Sequence, residues 1–454
     1  MPAMKCKAIA VWLMLGAPLA GAEIPVADPG EVAAAVKKAQ PGDVITLANG
    51  EYRSEELLFS AEGTAERPIV LRAATPGKVI FRGTSRLRIS GSHLVVEGFY
   101  YYNAFHPEGL ITLRRDSRRE AHHCRVTQCG IVDCNPSAEE TSGPWIAVFG
   151  THNRVDHCLI QGKAHGGPSV AIWIPSDQTS PNQHQIDHNY FGPRPPLRLQ
   201  RNGEALRLGQ STAPTSASRI LVEANLFDRC AGGIDVINNF ASDSAFRSNV
   251  FLRSAGSLSL RSCNHCLVQS NYFIGANVSA SGGVRISGEE HTIAGNYFSN
   301  LAGTDELAAL AVMDGYGHAQ GNGYLQAKRC TLADNVILEC AQTIAIGLPD
   351  RDAKRRAGSR LPPEDCTLSG NVVYGSRGLV VDQRSNAERM TWRGNIYSGG
   401  DLGIGSTPDA WAQFQINLGV RDGVPWPQHP AVRGPQLAPL RSAEVGPAWY
   451  SLAP

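Results

Sequence analysis

An asparagine followed by two apolar or aromatic residues returns again and again along this chain. The copies include His188-Asn189-Tyr190-Phe191, Ala224-Asn225-Leu226-Phe227, Ser248-Asn249-Val250-Phe251, Ser270-Asn271-Tyr272-Phe273 and Gly295-Asn296-Tyr297-Phe298. Weaker copies carry Asn335, Asn371 and Asn395. From Asn225 to Asn296 the steps are 24, 22 and 25 residues, and Asn371 to Asn395 is again 24. The longer steps of 36, 39 and 36 read as one repeat plus an inserted loop. An earlier copy has Cys158 in the asparagine place, since Val155-Asp156-His157-Cys158 parallels Ile186-Asp187-His188-Asn189. Between these positions lie short β-branched and aliphatic runs without helical periodicity, which suit strands. A strand-rich unit repeated at this period predicts a parallel β-helix, in which each rung stacks on the next. An asparagine at a fixed bend can then hydrogen-bond its copies on neighbouring rungs. The repeat has no leucine pattern and is too short for a propeller blade.

Composition agrees with a solenoid. The 47 glycines and 28 prolines argue against long helices and suit many turns. Glu31 to Ala39 is a short amphipathic stretch that predicts a capping helix, ended by Gln40-Pro41-Gly42-Asp43. Residues 401–454 hold eight of the prolines, so an extended tail packed on the solenoid is expected there. The expectation is an all-β, single-domain parallel β-helix over residues 23–400.

Residues 1–22 read as a secretory leader: Lys5 and Lys7, an apolar run from Ala8 to Ala20, then Ala20-Gly21-Ala22. Export to the periplasm or the medium is expected. The apolar run is short for a membrane span, and no membrane partner is expected. Ten of the eleven cysteines follow the leader. Cys263 and Cys266 form a lone C-x-x-C, which without a second pair points to core packing or a local disulfide more than to a metal.

The net charge of +1 argues against a nucleic-acid partner, unless a local patch supplies the binding. Strand alternation places such a patch. In Leu206-Arg207-Leu208, Ile234-Asp235-Val236, Leu258-Ser259-Leu260-Arg261 and Val284-Arg285-Ile286 the apolar residues face inward. The expected result is a ladder of Arg207, Asp235, Arg261 and Arg285 on one surface. Trp173 projects beside it, because Val170, Ile172 and Ile174 face in. Guanidinium forks suit carboxylates or sulfates, and an indole suits a sugar face. The partner this favours is a linear acidic polysaccharide, bound by a monomer.

From about Pro41 to Asn395 the sequence resembles polysaccharide lyase family six, the alginate lyase and chondroitinase B group. The resemblance rests on Asn202-Gly203-Glu204-Ala205-Leu206-Arg207-Leu208-Gly209, Val222 to Phe227, Gly256 to Arg261, and Gly282 to Ile286 with His291. Gly162-Lys163, Asp314-Gly315 and Tyr324 also fit. It implies β-elimination at a uronic acid: a base removes the C5 proton, a cation neutralises the carboxylate, and an acid protonates the leaving O4. In the family a lysine is the base, an arginine assists, and calcium is held by an asparagine and two acids.

The arginine falls on Arg261. The lysine position falls on Phe240, one calcium acid on Gly233, the other on Asp235, and the asparagine near Asn202. Ser262 stands where the family has histidine. The resemblance therefore implies a divergent lyase of alginate or a related polyuronate, without a calcium cofactor. Arg261 would be catalytic, with Lys163, His165 or His265 as the base. Arg207, Arg285, Asp235, Trp173, His291 and Tyr324 would contact substrate. The alternatives are an inactive acidic-glycan binder and an epimerase. A glycoside hydrolase fits less well, because it needs a pair of acids in the groove.

Overall fold

The computed structural model describes residues 21–451 apart from 138–141, 178–179, 198–201, 212–216, 317–323, 350–359 and 388. Residues 1–20, which hold nearly all of the expected leader, lie outside the described residues.

Three 14-stranded sheets run the length of the molecule. The chain visits them in turn, contributing one short parallel strand to each per rung, and so builds a right-handed parallel β-helix. The first sheet runs from Glu23–Val26 to Thr391–Arg393, and the third from Gly50–Arg53 to Trp411–Gln413. The second holds Leu206–Leu208, Asp235–Asn239, Gly256–Leu260 and Ser281–Ile286 on consecutive rungs. It is called the groove sheet below. Isoleucine, leucine, valine and phenylalanine from all three sheets fill the interior.

The repeated asparagines form the expected ladder. Asn225 Oδ1 accepts from the backbone N–H and the Nδ2 of Asn189, each at 3.0 Å. The same two bonds recur from Asn225 to Asn249, Asn271, Asn296, Asn335, Asn371 and Asn395. Cys158 takes the first place, its N–H donating to Asn189 Oδ1 at 3.0 Å. Before each ladder residue the backbone is left-handed, with φ between 49° at His157 and 63° at Gly370. That bend turns the chain from the first sheet to the third on every rung. Inside it, Phe191, Phe227, Phe251, Phe273 and Phe298 stack with centroids 4.5–4.9 Å apart, about one rung.

The capping helix, Pro29–Lys38, starts at Asp28, whose carboxylate accepts the Gly30 N–H at 2.8 Å. It buries Val32, Ala35 and Val36. Beyond residue 400 the strand Trp411–Gln413 adds to the third sheet, and Leu418–Arg421 pairs with Val424–Pro427 as a hairpin. The chain then returns along the third sheet. Trp426 stacks on Tyr297, Tyr272 donates to the Leu437 carbonyl at 2.8 Å, and Trp449 donates to the Gln128 carbonyl at 2.6 Å. The ten cysteines after the leader are all free and buried. Cys263 and Cys266 touch at 3.7 Å between sulfurs, and no cluster of three or more His, Cys, Asp or Glu fit for a metal occurs among the described residues.

Candidate active site

Register fixes which groove-sheet residues share a row. Thr112, Ala147, Ala171, Arg207, Asn238, Ser259, Arg285 and Ala311 stand in line on successive rungs. Two residues further along each strand path comes a second outward row: Arg114, Phe149, Trp173, Gly209, Phe240 and Arg261. The expected ladder of four charges is thereby corrected. Arg207 and Arg285 belong to the first row and Arg261 to the second. Asp235 belongs to neither, because the register shifts between Asp235 and Ile237 and brings Asn238 into line.

Asp235 still faces the groove side, since Val236 and Ile237 both pack in the core, and it meets Ser257 and Arg285 there. It and Arg285 are ion-paired with both side chains only 2% exposed. Ser257 donates to Asp235 at 3.1 Å, and Arg285 Nε donates to Ser259 at 3.0 Å. Burial pushes the Asp235 carboxyl up, opposed by the Arg285 and Arg261 charges. The Arg285 guanidinium is held protonated by Asp235 against the same burial. Arg285 is therefore an internal counter-charge, not a substrate arm. Arg207 is also committed: its Nη2 donates to Glu204 at 2.6 Å and to Asn202 at 2.8 Å. Asn238 Nδ2 donates to the same Glu204 oxygen at 3.0 Å. Glu204 Oε2, Asn238 Oδ1 and Arg207 Nε are buried with no partner among the described residues, so this point of the groove has polar capacity left for water or a sugar.

Tyr324 covers the two arginines of the adjoining rungs. Its ring centroid lies 5.3 Å from the Arg261 guanidinium and 5.8 Å from that of Arg285. Arg261 also lies 6.0 Å from the Phe240 ring. Arg261, Tyr324 and Phe240 are thus gathered at one place, as the sequence suggested for the first two.

The other expected site residues are elsewhere. Lys163 is 1% exposed and lies behind the groove wall. It donates to the carbonyls of Gly143 at 3.0 Å and Gly166 at 3.2 Å, and contacts His165, itself buried. Burial and the charge of Arg194 push the Lys163 amine well below the usual lysine range. Arg194, which sequence reasoning missed, ties the carbonyls of His165, Gly167 and Glu204 together. Lys163 and Arg194 thus shape the wall and do not reach the groove. His265 sits on an outer turn between Asp243 at 3.2 Å and Glu290 at 3.6 Å. His291 is interior: it accepts the Cys266 N–H at 3.1 Å and lies 3.2 Å from the Ser287 carbonyl. Neither histidine lies at Arg261, so the expected roles as base and substrate contact are not met.

A cleft of about 730 Å³ extends from Arg207 toward the N-terminal rungs. Its charged lining is Arg86, Arg88, Arg114, Arg115 and Arg207 against Glu108 and Asp116, and Glu56 and Glu204 pair with three of these arginines from beside it, so one positive charge is left in excess. Trp173, 40% exposed, stands in it with its ring stacked on Phe149.

The positions implied for calcium do not fit that ion, which takes about six to eight oxygens. Gly233 offers no side chain, Asp235 is paired to Arg285, and the Asn202 oxygen already accepts from Arg207.

The sequence matches the chondroitinase B family profile over residues 26–416. Comparison with curated proteins gives no match. Among solved structures it is similar to AlyGC, a PL6 family alginate lyase, at 32% identity and TM-score 0.88, covering 95% of this chain and 60% of that one. This chain therefore spans about three fifths of that enzyme's length. It is also similar to a mannuronic-acid-specific polysaccharide family 6 lyase from human gut microbiota, at 26% identity and TM-score 0.74, covering 87% of this chain and 91% of that one. A PL6 lyase from Pseudopedobacter saltans shares the fold at 24% identity and TM-score 0.73, covering 94% of this chain and all of the other. The profile match spans most of the described β-helix, and the chain belongs to the chondroitinase B family, within polysaccharide lyase family six.

Proposed function

We propose that this protein is an exported, calcium-independent lyase that cleaves a uronate polysaccharide, alginate first among the candidates, by β-elimination. The observation that carries this reading is Arg261 on the groove sheet, at the family's arginine position and two rungs beyond the end of a cleft with an excess of positive charge. Removing a proton next to a carboxylate builds negative charge, which a preorganised guanidinium stabilises. Arg261 is assigned that role. Phe240 cannot move a proton, and Lys163, His165 and His265 are out of reach. Tyr324 is assigned proton transfer, because a phenol is a general acid–base group and the Tyr324 ring lies over Arg261, 5.3 Å from its guanidinium carbon. Lys163 and Arg194 act as positioning residues behind the wall.

The phenylalanine at the family's lysine position favours a second reading, in which the groove binds acidic glycans without cleaving them. The two separate on polymannuronate, polyguluronate and dermatan sulfate, each with and without chelator, followed by the ultraviolet absorbance of the unsaturated product. The lyase reading expects a chelator-insensitive signal that Arg261→Ala abolishes. Binding without any such product from the wild-type protein would leave the glycan-binding reading in its place. A changed uronate ratio without that absorbance would mark an epimerase.

A further inference from the structure

The groove holds a second charged group well away from Arg261. Arg114 lies flat on the Phe149 ring, its guanidinium carbon 3.7 Å from the ring centroid. Phe149 is in turn stacked parallel to Trp173, with centroids 6.0 Å apart and planes within 5°. These three occupy consecutive rungs of the second outward row, and all line the cleft. The other cleft arginines are engaged. Arg86 pairs with Glu56 and Glu108, and Arg88 with Glu56 and the Arg115 carbonyl. Arg207 pairs with Glu204, and Arg115 lies 3.7 Å from Asp116. Arg114 makes no side-chain hydrogen bond or ion pair among the described residues.

The geometry points to a distal subsite in which Arg114 binds the carboxylate, or sulfate, of one sugar unit while Trp173 packs against the glycan chain. Stacking fixes the guanidinium plane and leaves its edge, with the N–H donors, for an anion. Such an arm loses little freedom on binding, because the rings already hold it. Next to Trp173 in the row, Gly209 and Gln210 close the cleft lining on the side toward Phe240 and Arg261.

Register gives the reach. From the rung of Arg114 to that of Arg261 there are five steps, through Ile146, Val170, Leu206, Ile237 and Leu258. At about 4.8 Å a step this is about 24 Å. An extended glycan advances about one rung per pyranose, so a chain must have about six units to touch both ends. The subsite rests on the uronate-polymer reading but not on catalysis, and it makes the protein select for chain length.

The test compares wild type with Arg114→Ala and Trp173→Ala on trimeric and octameric oligouronates. Affinity is measured by calorimetry and turnover by product absorbance, with melting curves to establish that each variant is folded. Arg114→Ala is expected to weaken octamer binding about ten- to a hundredfold, the loss of a charged hydrogen-bonded contact, and to leave the trimer unchanged. Equal losses on both lengths, or none on the octamer, would overturn the subsite. If wild type cleaves nothing but octamer binding still falls selectively, the subsite stands and the lyase reading fails. If wild type cleaves both and Arg114→Ala binds as wild type does, the reverse holds.

Discussion

Arg285 and Asp235 offer a direct test of whether an internal ion pair has taken over the ground that calcium holds elsewhere in the family. Both side chains are almost wholly buried, and each has one further hydrogen bond, to Ser259 and Ser257. Arg285→Met leaves a buried carboxylate without its counter-charge, and Asp235→Asn leaves a buried guanidinium likewise. Breaking a buried pair from one side costs about 3–5 kcal/mol, whereas replacing both partners is often nearly neutral. The double variant should therefore be more stable than either single one, with a coupling energy of about 3 kcal/mol or more. Urea unfolding of the four proteins measures it, provided the slopes agree. A coupling below about 0.5 kcal/mol would mean the two groups act independently and would refute the argument. The same titration examines calcium. An ion bound to the folded state at a hundredfold its Kd would add about 2.7 kcal/mol. The wild-type midpoint is expected to be the same with calcium and with chelator. A calcium-dependent rise that Asp235→Asn removes would assign Asp235 to the metal instead.

Two further outcomes concern the scaffold. Lys163 has its folded pKa lowered by burial and by Arg194, so the folded state favours the neutral amine. The sign follows: its contribution is full above the unfolded lysine value and is lost as pH falls through the folded one. The stability of wild type minus that of Lys163→Met should therefore decline as pH is lowered from about 10.5; a pH-independent difference would contradict the buried-amine assignment. Asn271→Ala removes the acceptor of the Asn249 N–H and a donor to the Phe246 carbonyl. With each buried orphan worth about 1–3 kcal/mol, a loss of about 3 kcal/mol is expected in urea unfolding. A loss under about 1 kcal/mol would show that the ladder is dispensable.

The fold was legible because a solenoid writes its geometry into the sequence at a fixed period. Each ladder asparagine needs its copy one rung away, and each bend needs a left-handed residue before it. The same constraint therefore returns at Asn225, Asn249, Asn271 and Asn296 whatever the loops do. Insertions change the step but not the motif, which is why the long intervals could be recognised as a rung plus a loop. The cysteines follow the same logic. Cys158 stands in the asparagine ladder, with its N–H bonded to Asn189 like any other member.

The site was legible only in part, because alternation says which way a residue points but not what reaches back to meet it. Arg207, Arg261, Arg285 and Trp173 all lie on the groove sheet, as alternation required. The failure at Asp235 has one cause, a register shift within its strand, which moves Asn238 into the row. A single bulge offsets the register of every residue on its near side, and nothing local in Ile234-Asp235-Val236 announces it. Asp235 thereby meets Arg285, two rungs on, and the pair is buried on the groove side. A predicted surface of three arginines then becomes two neutralised pairs, Arg207 with Glu204 and Arg285 with Asp235, plus Arg261. The excess positive charge of the groove consequently lies toward Arg114, several rungs from where the sequence placed it. That displacement is the physical reason to expect a chain-length dependence: under the proposed function, the cation assigned to the reacting centre and the cation assigned to anchoring the polymer are different residues, separated by the height of the rungs between them.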